Sequence, residues 1–270
     1  MLERFVLAGS VIFIATILWI IIKNRRRPLA PYRKLQQPDR AILQQFVPFY
    51  NSLSSNQKKY FELRLQQFLS ATKITGVNAV VEKIDVLLIA ASAIIPVFAI
   101  ENWEYVNLNE VLLYPGSFDA YFNQEGAERT RAGLVGDGPY QNIMVLSQAD
   151  LRQGYFNADN RFNTGIHEFV HLVDKTDGAI DGVPEALLDK SLTEPWRQMM
   201  QQYIQQLRNG ETDIDPYGGT NQAEFFAVAS EYFFNQPQQL QADHPQLYAM
   251  LSTIFKYPFS EHQQTLRSTH

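Results

Sequence analysis

The sequence predicts an α+β protein: a mainly helical domain with a small mixed sheet, preceded by a single N-terminal transmembrane helix. Three observations lead to this prediction. An uncharged apolar run opens the chain, helical spacing of apolar residues returns from residue 54 and beyond residue 160, and two short segments between them alternate as strands do. With 270 residues, 46% of them hydrophobic and 19% charged, the chain is long enough for one large globular domain.

The apolar run covers Phe5–Ile22, which is 18 residues without a charge. As a helix it would extend over about 27 Å, close to the hydrocarbon thickness of a bilayer. A cleaved signal peptide is the alternative, but its basic residues should precede the run, whereas here the basic cluster at 23–27 follows it. We therefore expect residues 1–23 to form a single-pass anchor in the cytoplasmic membrane, with the rest of the chain facing the cytoplasm.

Composition divides the remainder into three parts. Residues 24–47 are rich in Pro, Arg and Gln and are predicted to be a juxtamembrane linker, followed by a folded domain over 48–262 and a tail over 263–270. A second apolar run, Val86–Ile100, has only 15 residues and contains Pro96, so it predicts a buried core helix and not a second span.

Within the domain, a helix is expected to follow Ser54 as its N-cap and to end before Gly76. Periodicity predicts further helices at 82–95, 161–175, 191–209, 221–235 and 243–256, and strands at 105–115 and 142–151.

Charge and cysteine content limit the functions open to this chain. The net charge of −5 argues against a nucleic-acid partner, because no basic face is implied. The chain has no cysteine, so any metal must be held by histidines and carboxylates.

The motif H-E-F-V-H at 167–171 is the main candidate for chemistry. On a helix, the four-residue spacing brings His167 and His171 to one face, where both imidazoles can bind one metal ion. Glu168 is then suited to accept a proton from a water molecule at the metal. The alternative is an accidental pair of histidines on an ordinary helix.

A catalytic zinc ion needs a third protein ligand, and none of the remaining histidines follows at a suitable spacing. A carboxylate on a later helix is therefore expected. Glu224 and Glu231 are two helical turns apart in an otherwise apolar helix and share a face. Spacing alone does not choose between them, and a solvated edge carrying both acids is the alternative.

H-E-F-V-H, together with D-G-V-P at 181–184 and Y-G-G-T-N-Q-A-E-F-F from Tyr217, resembles the Mlc titration factor A family of bacterial zinc peptidases and the related peptidase domain of anthrax lethal factor. The likeness extends over about residues 45–260 and includes V-L-L-Y-P-G-S-F at 111–118. It implies a zincin-like, gluzincin-type metallopeptidase domain with one Zn²⁺ per chain.

The resemblance also implies roles for individual residues. His167, His171 and Glu224 would hold the zinc ion, Glu168 would be the general base for a zinc-activated water, and the Tyr217 phenol would donate a hydrogen bond to the oxyanion or the departing amine. Glu231 would be a second-shell or structural acid. Asp174 lies on the same helix face as the histidines, where it is expected to accept the other imidazole N–H.

These features together predict a membrane-anchored zinc peptidase that hydrolyses peptide bonds. The strand at 142–151 is expected to offer an edge along which an extended peptide substrate pairs. The alternative is a regulatory binding module that sequesters or recruits a protein partner, such as a transcriptional repressor, because the founding family member is named for sequestering the repressor Mlc. Glu168 favours the enzyme, since closed structural zinc sites have no use for a base.

Overall fold

The computed structural model describes Tyr32 and residues 34–118, 133–135, 142–157 and 161–258. The predicted anchor at 1–23 and the predicted tail at 263–270 lie outside the described residues. Within the described ranges, no helix is both long and apolar enough to cross a bilayer. From residue 34 onward the described chain is mainly helical, with one small sheet.

Part of the predicted linker is folded, so that prediction is wrong for residues 34–47. Helix α1 (Gln37–Phe46) carries a proline in its first turn, where a missing N–H costs nothing, and Asp39 accepts a hydrogen bond from the Gln36 amide at 2.6 Å. Leu43 is fully buried in the core. The helix was not predicted because the stretch is mostly polar and only a few apolar side chains pack against the core.

Helices α2 (Pro48–Ser52) and α3 (Ser55–Ala71) follow. The predicted start of α3 is confirmed, because Ser54 Oγ accepts from the Gln57 amide at 3.4 Å and the Gln57 side chain accepts from the Ser54 amide at 2.9 Å. The face of α3 that enters the core consists of Phe61, Leu65, Phe68 and Leu69. The helix ends earlier than predicted because the chain enters a strand two residues later.

The second apolar run forms a buried helix, as predicted. Helix α4 (Lys83–Ile94) is buried at every residue from 87 to 94, and a short 3₁₀ turn through Pro96 continues it. Near its start, the fully buried Asp85 accepts from Arg152 Nε at 2.7 Å. The continuous apolarity of this run therefore reflects burial in protein.

The sheet is small and mixed. Its strands are β1 (Lys73–Gly76), β2 (Glu110–Tyr114), β3 (Gly133–Val135) and β4 (Ile143–Ser147), in the spatial order β1-β2-β4-β3. The pairs β1–β2 and β2–β4 are parallel, and β3 is antiparallel to β4. The expectation that the strand at 142–151 offers a free edge is therefore wrong, because β4 pairs on both sides and β3 borders the described sheet.

The predicted strands are also longer than the observed ones. The strand expected at 142–151 stops at Ser147, whose Oγ accepts from the Asp150 amide at 3.2 Å and begins helix α5 (Gln148–Phe156). Strands β1 and β3 were not predicted, since they have four and three residues and no alternation to detect.

Helix α6 (Thr164–Asp174) carries the H-E-F-V-H motif and confirms the helix expected at 161–175. It crosses α4 very closely: a β-carbon on Gly165 would stand 2.2 Å from Ser92 Oγ, so a side chain at residue 165 would push the two helices apart. Gly165 therefore allows α6 to lie against the centre of the core.

The C-terminal half consists of α7 (Lys190–Asn209), α8 (Gln222–Asn235), α9 (Pro237–Asp243) and α10 (Pro245–Ile254). Every residue of α8 from 225 to 234 is buried. The fully buried Trp196 of α7 packs against Phe225 and Phe226 of α8. The single helix predicted at 243–256 instead begins at Pro245, because a separate helix, α9, ends at Asp243.

Candidate metal centre

Helix α6 presents its two histidines side by side. Asn163 caps the helix, its side-chain oxygen accepting from the Ile166 amide at 3.1 Å, so the helical turn is fixed just before the motif. The Nε2 atoms of His167 and His171 lie 3.1 Å apart. The four-residue spacing thus brings both nitrogens to one point, as expected for a helix.

Helix α8 brings a carboxylate to the same point. Asn221 caps this helix by accepting from the Glu224 amide at 3.0 Å. Oε2 of Glu224 then lies 3.0 Å from His167 Nε2 and 3.3 Å from His171 Nε2. Of the two acids that spacing left open, the structure therefore directs Glu224 at both imidazoles.

The three donor atoms fit a single metal ion. They form a triangle with sides of 3.0, 3.1 and 3.3 Å. Tetrahedral zinc with bonds of 2.0–2.1 Å requires ligand–ligand separations of about 3.3 Å. The described residues contain one group of at least three potential ligands that lie close enough together to hold an ion, namely His167, His171 and Glu224.

Glu231 contacts the opposite nitrogen of His167. Its Oε1 lies 2.7 Å from His167 Nδ1, and its Oε2 accepts a hydrogen bond from the backbone amide of Asn163. The imidazole of His167 is therefore held between two carboxylates of α8, with Nδ1 towards Glu231 and Nε2 towards Glu224. A carboxylate at Nδ1 fixes the ring and favours the tautomer whose Nε2 is free to bind metal.

The charges of this cluster determine the pKa of His167 and Glu224. Burial opposes protonation of His167, but Glu231 and Glu224 outweigh it and hold its pKa well above the usual value. Burial likewise opposes ionisation of Glu224, yet the hydrogen bonds from His167 and His171 hold its pKa well below the usual range. The buried imidazole of His167 and the carboxylate of Glu224 therefore favour each other's charged forms.

Glu168 lies beside the ligands but points to a different neighbour. Its side chain is buried, and a β-carbon on Gly133 of strand β3 would stand 2.4 Å from both Cγ and Oε1 of Glu168. Burial raises the pKa of Glu168, although the nearby histidines act against this shift. The carboxyl group is thus held against the border strand of the sheet, with an increased affinity for a proton.

Tyr217 lies in a 3₁₀ turn (Pro216–Gly219) at the mouth of the site. Its ring centroid is 6.0 Å from that of His167, and 55% of the residue is exposed. The Tyr217 ring therefore borders the cluster from the solvent side.

Asp174 does not make the hydrogen bond expected from its position on the helix. Its Oδ2 accepts from the Gly182 amide at 2.8 Å, and neither its Oδ1 nor His171 Nδ1 has a hydrogen-bond partner among the described residues. The side chain turns towards the loop after α6 because that loop folds back over the helix end. Burial raises the pKa of Asp174 to about 6.

Two residues of the site were missed by sequence reasoning. Asn163 had a detectable signal, since an Asn directly before an amphipathic helix is a preferred N-cap. Gly133 had none, because its importance depends on a contact with Glu168 that only the fold creates.

Comparison with known proteins identifies a metallopeptidase family. Residues 21–256 match the family described as glucose-regulated metallopeptidase M90. An uncharacterized protein of Synechocystis sp. is 35% identical over 244 residues, covering 85% of each chain. Mlc titration factor A of Serratia proteamaculans is 28% identical over 83% of this chain and 90% of its own length. The Escherichia fergusonii protein of that name is 27% identical over 75% and 80%.

Proposed function

This chain belongs to the M90 family of glucose-regulated metallopeptidases, the family of Mlc titration factor A, and on that premise we propose that it is a zinc-dependent peptidase. The observation that carries the proposal is the triangle of His167, His171 and Glu224 donor atoms, with Glu168 directly after His167 in helix α6. Two histidines and a glutamate leave a fourth tetrahedral position open, which is the arrangement of catalytic zinc sites and not of closed structural ones.

The groups around the triangle suit peptide hydrolysis. His167, His171 and Glu224 would hold the zinc ion, which would supply a Lewis acid to polarise a carbonyl and to lower the pKa of a water molecule from ~15.7 towards ~7. Glu168 would take the proton of the attacking water and return it to the leaving nitrogen, a role that suits its position directly after His167 in helix α6. Tyr217 donates its phenolic proton in a hydrogen bond to the oxyanion.

Strand β3 supports a way of holding the substrate. It borders the described sheet, and its Gly133 lies against Glu168. A peptide that adds to β3 by main-chain hydrogen bonds would run past the general base in an extended conformation. This replaces β4 as the strand along which we propose that the substrate binds.

The test compares the full-length protein with its Glu168→Gln variant in zinc content and in hydrolysis of a peptide library. One zinc ion in each, with cleavage by the wild type alone, supports the proposal. Absence of zinc from both would overturn the ligand set. The variant Glu194→Gln, which changes an exposed glutamate on α7, controls for the substitution itself.

A second candidate is a regulatory binding role, favoured by relatives that are named Mlc titration factor A. In this reading the chain holds a repressor-like protein and hydrolysis is incidental. Zinc binding without cleavage in either protein, combined with retention of a purified repressor of the Mlc type by both, would support this role over the peptidase.

We also propose that the apolar run Phe5–Ile22 anchors the chain in the cytoplasmic membrane, with the metal centre in the cytoplasm. The 18 uncharged residues and the basic cluster at 23–27 support this proposal. An anchored chain stays with the membrane fraction after an alkaline carbonate wash, and its domain is digested only when protease reaches the cytoplasmic side. Release by carbonate would contradict the anchor.

A further inference from the structure

Asp213 joins three separate parts of the protein, although it lies outside the metal centre. Its Oδ2 accepts from Arg161 Nη1 at 2.6 Å and from the Tyr232 hydroxyl at 3.1 Å, and its Oδ1 lies 2.6 Å from His244 Nε2. The same Arg161 nitrogen donates to the backbone carbonyl of Asp213 at 2.7 Å. The carboxylate of Asp213 thus contacts three side chains, and one of them, Arg161, also contacts the Asp213 backbone carbonyl.

Two of these partners belong to segments that form the metal centre. Arg161 lies two residues before Asn163, whose amide donates to Glu231, and Tyr232 directly follows Glu231 in α8. The guanidinium of Arg161 also lies 4.5 Å from the centre of the Tyr232 ring. The junction at Asp213 is therefore fixed to the same two segments that orient His167.

Asp213 begins the segment that ends in Tyr217. Ile214 is buried, and Asp215 caps the 3₁₀ turn by accepting from the Tyr217 amide at 2.6 Å. Beyond the turn, Arg208 Nε donates to the Gly219 carbonyl at 3.1 Å. The backbone on both sides of Tyr217 is thus tied to the helices around it.

Because Tyr217 is exposed, the position of its phenol depends on the position of its backbone. More than half of the residue is open to solvent, so side-chain packing alone does not fix the position of the phenol. The contacts of its segment therefore help to set the position of the backbone. At the N-terminal end, the carboxylates of Asp213 and Asp215 supply hydrogen bonds. An isolated surface ion pair contributes little, but three partners on one carboxylate form a network.

We infer that Asp213 is a positioning residue, which holds the phenol of Tyr217 beside His167 by tying its segment to Arg161, Tyr232 and His244. The inference rests on the proposed function, in which Tyr217 stabilises the oxyanion. Burial opposes ionisation of Asp213, but the hydrogen bonds from His244 and Tyr232 and the charge of Arg161 lower its pKa, so the carboxylate is ionised at neutral pH.

The first experiment requires no substrate. Hydrogen exchange of the backbone amides of residues 213–219 is measured in the full-length protein and in Asp213→Ala, with zinc content as a second readout. We expect exchange in this segment to accelerate by at least about tenfold, which is the effect of losing a single hydrogen bond to a charged group, while zinc binding is unchanged. The control is Asp189→Ala, which removes an exposed cap of α7. Unchanged exchange would overturn the inference even if the protein proves not to be a peptidase.

The second experiment is a double-mutant cycle on peptide hydrolysis. Tyr217→Phe is expected to lower kcat about 10²-fold, and Asp213→Ala about tenfold. If Asp213 acts through Tyr217, adding Asp213→Ala to Tyr217→Phe causes no further loss. Additive losses would overturn the inference. Asp213→Asn, whose single carbonyl oxygen can still accept from Arg161 and Tyr232, should restore part of the rate, and it replaces the alanine variant if that one fails to fold.

Discussion

Gly133 and Glu168 lie so close together that a β-carbon on residue 133 would stand 2.4 Å from Cγ and from Oε1 of Glu168. No real side chain tolerates this distance, so a larger residue at 133 must displace the carboxylate. The contact connects the border strand of the sheet with the helix that carries His167 and His171. It therefore places the proposed general base against the strand along which we propose that the substrate binds.

Gly133→Ala is expected to abolish most hydrolysis while zinc content remains that of the wild type. The three atoms nearest to the added methyl group all belong to Glu168 and none to a proposed ligand, and loss of a general base typically costs about 10²-fold or more. Zinc analysis and peptide hydrolysis on the same samples check this. Gly116→Ala is the matched control, because a β-carbon there has no neighbour within 4 Å. A wild-type rate in Gly133→Ala would contradict the assignment of Glu168.

Glu231→Gln should weaken metal binding without preventing it. The amide keeps the shape of the carboxylate but loses the charge that orients His167 through Nδ1, and such changes next to a ligand typically cost 10–100-fold in affinity. Competition titration with a chromophoric chelator measures the change. Glu194→Gln on the exposed surface of α7 should bind zinc as the wild type does. Equal affinities of all three proteins would exclude a role for Glu231 at the metal.

Removal of zinc should lower the thermal stability of the protein. An ion that binds only the folded state contributes about 4 kcal/mol at a concentration 1,000-fold above its Kd. For a domain of this size, Tm should then fall by roughly 8–16 °C after treatment with a chelator, at about 2–4 °C for each kcal/mol. His171→Ala should show no such dependence on zinc. If the wild type melts at one temperature with and without zinc, the three residues do not form a metal site.

Asp174→Asn should stabilise the metal-free protein at neutral pH and not at acidic pH. Burial raises the pKa of Asp174 from 3.8 to about 6, so the folded state keeps a proton that the unfolded chain has lost. Because the native state binds more protons in this window, the group lowers the free energy of unfolding as pH rises from about 4 to 6. The penalty above pH 6 is about 2–3 kcal/mol.

Urea unfolding at pH 4 and at pH 7.5 measures this difference. At pH 7.5 the free energy of unfolding of the variant should exceed that of the wild type by about the penalty given above. At pH 4 the two values should be equal, because the neutral amide still offers an acceptor to the Gly182 amide. If variant and wild type differ in unfolding free energy by the same amount at both pH values, ionisation of Asp174 does not destabilise the folded protein.

Much of the metal centre could be predicted from the chain alone. The spacing of His167 and His171 requires only a helix, because the four-residue period brings both rings to one face wherever that helix lies. The search for a third ligand led from spacing to two acids, and the resemblance to a known family led to Glu224. The buried helix α4 and the N-cap at Ser54 were predicted equally well, since both depend on residues that are near one another in sequence.

The tertiary structure decided the contacts between distant parts of the chain. In the folded protein Glu224 contacts both imidazoles, and Glu231 contacts Nδ1 of His167. Asp174 accepts a hydrogen bond from the Gly182 amide and makes none with His171. The tertiary structure also made β3, not β4, the border of the described sheet, because strand order depends on pairing partners that periodicity does not encode. Local periodicity determines which residues share a face, but only packing between distant elements determines what that face meets.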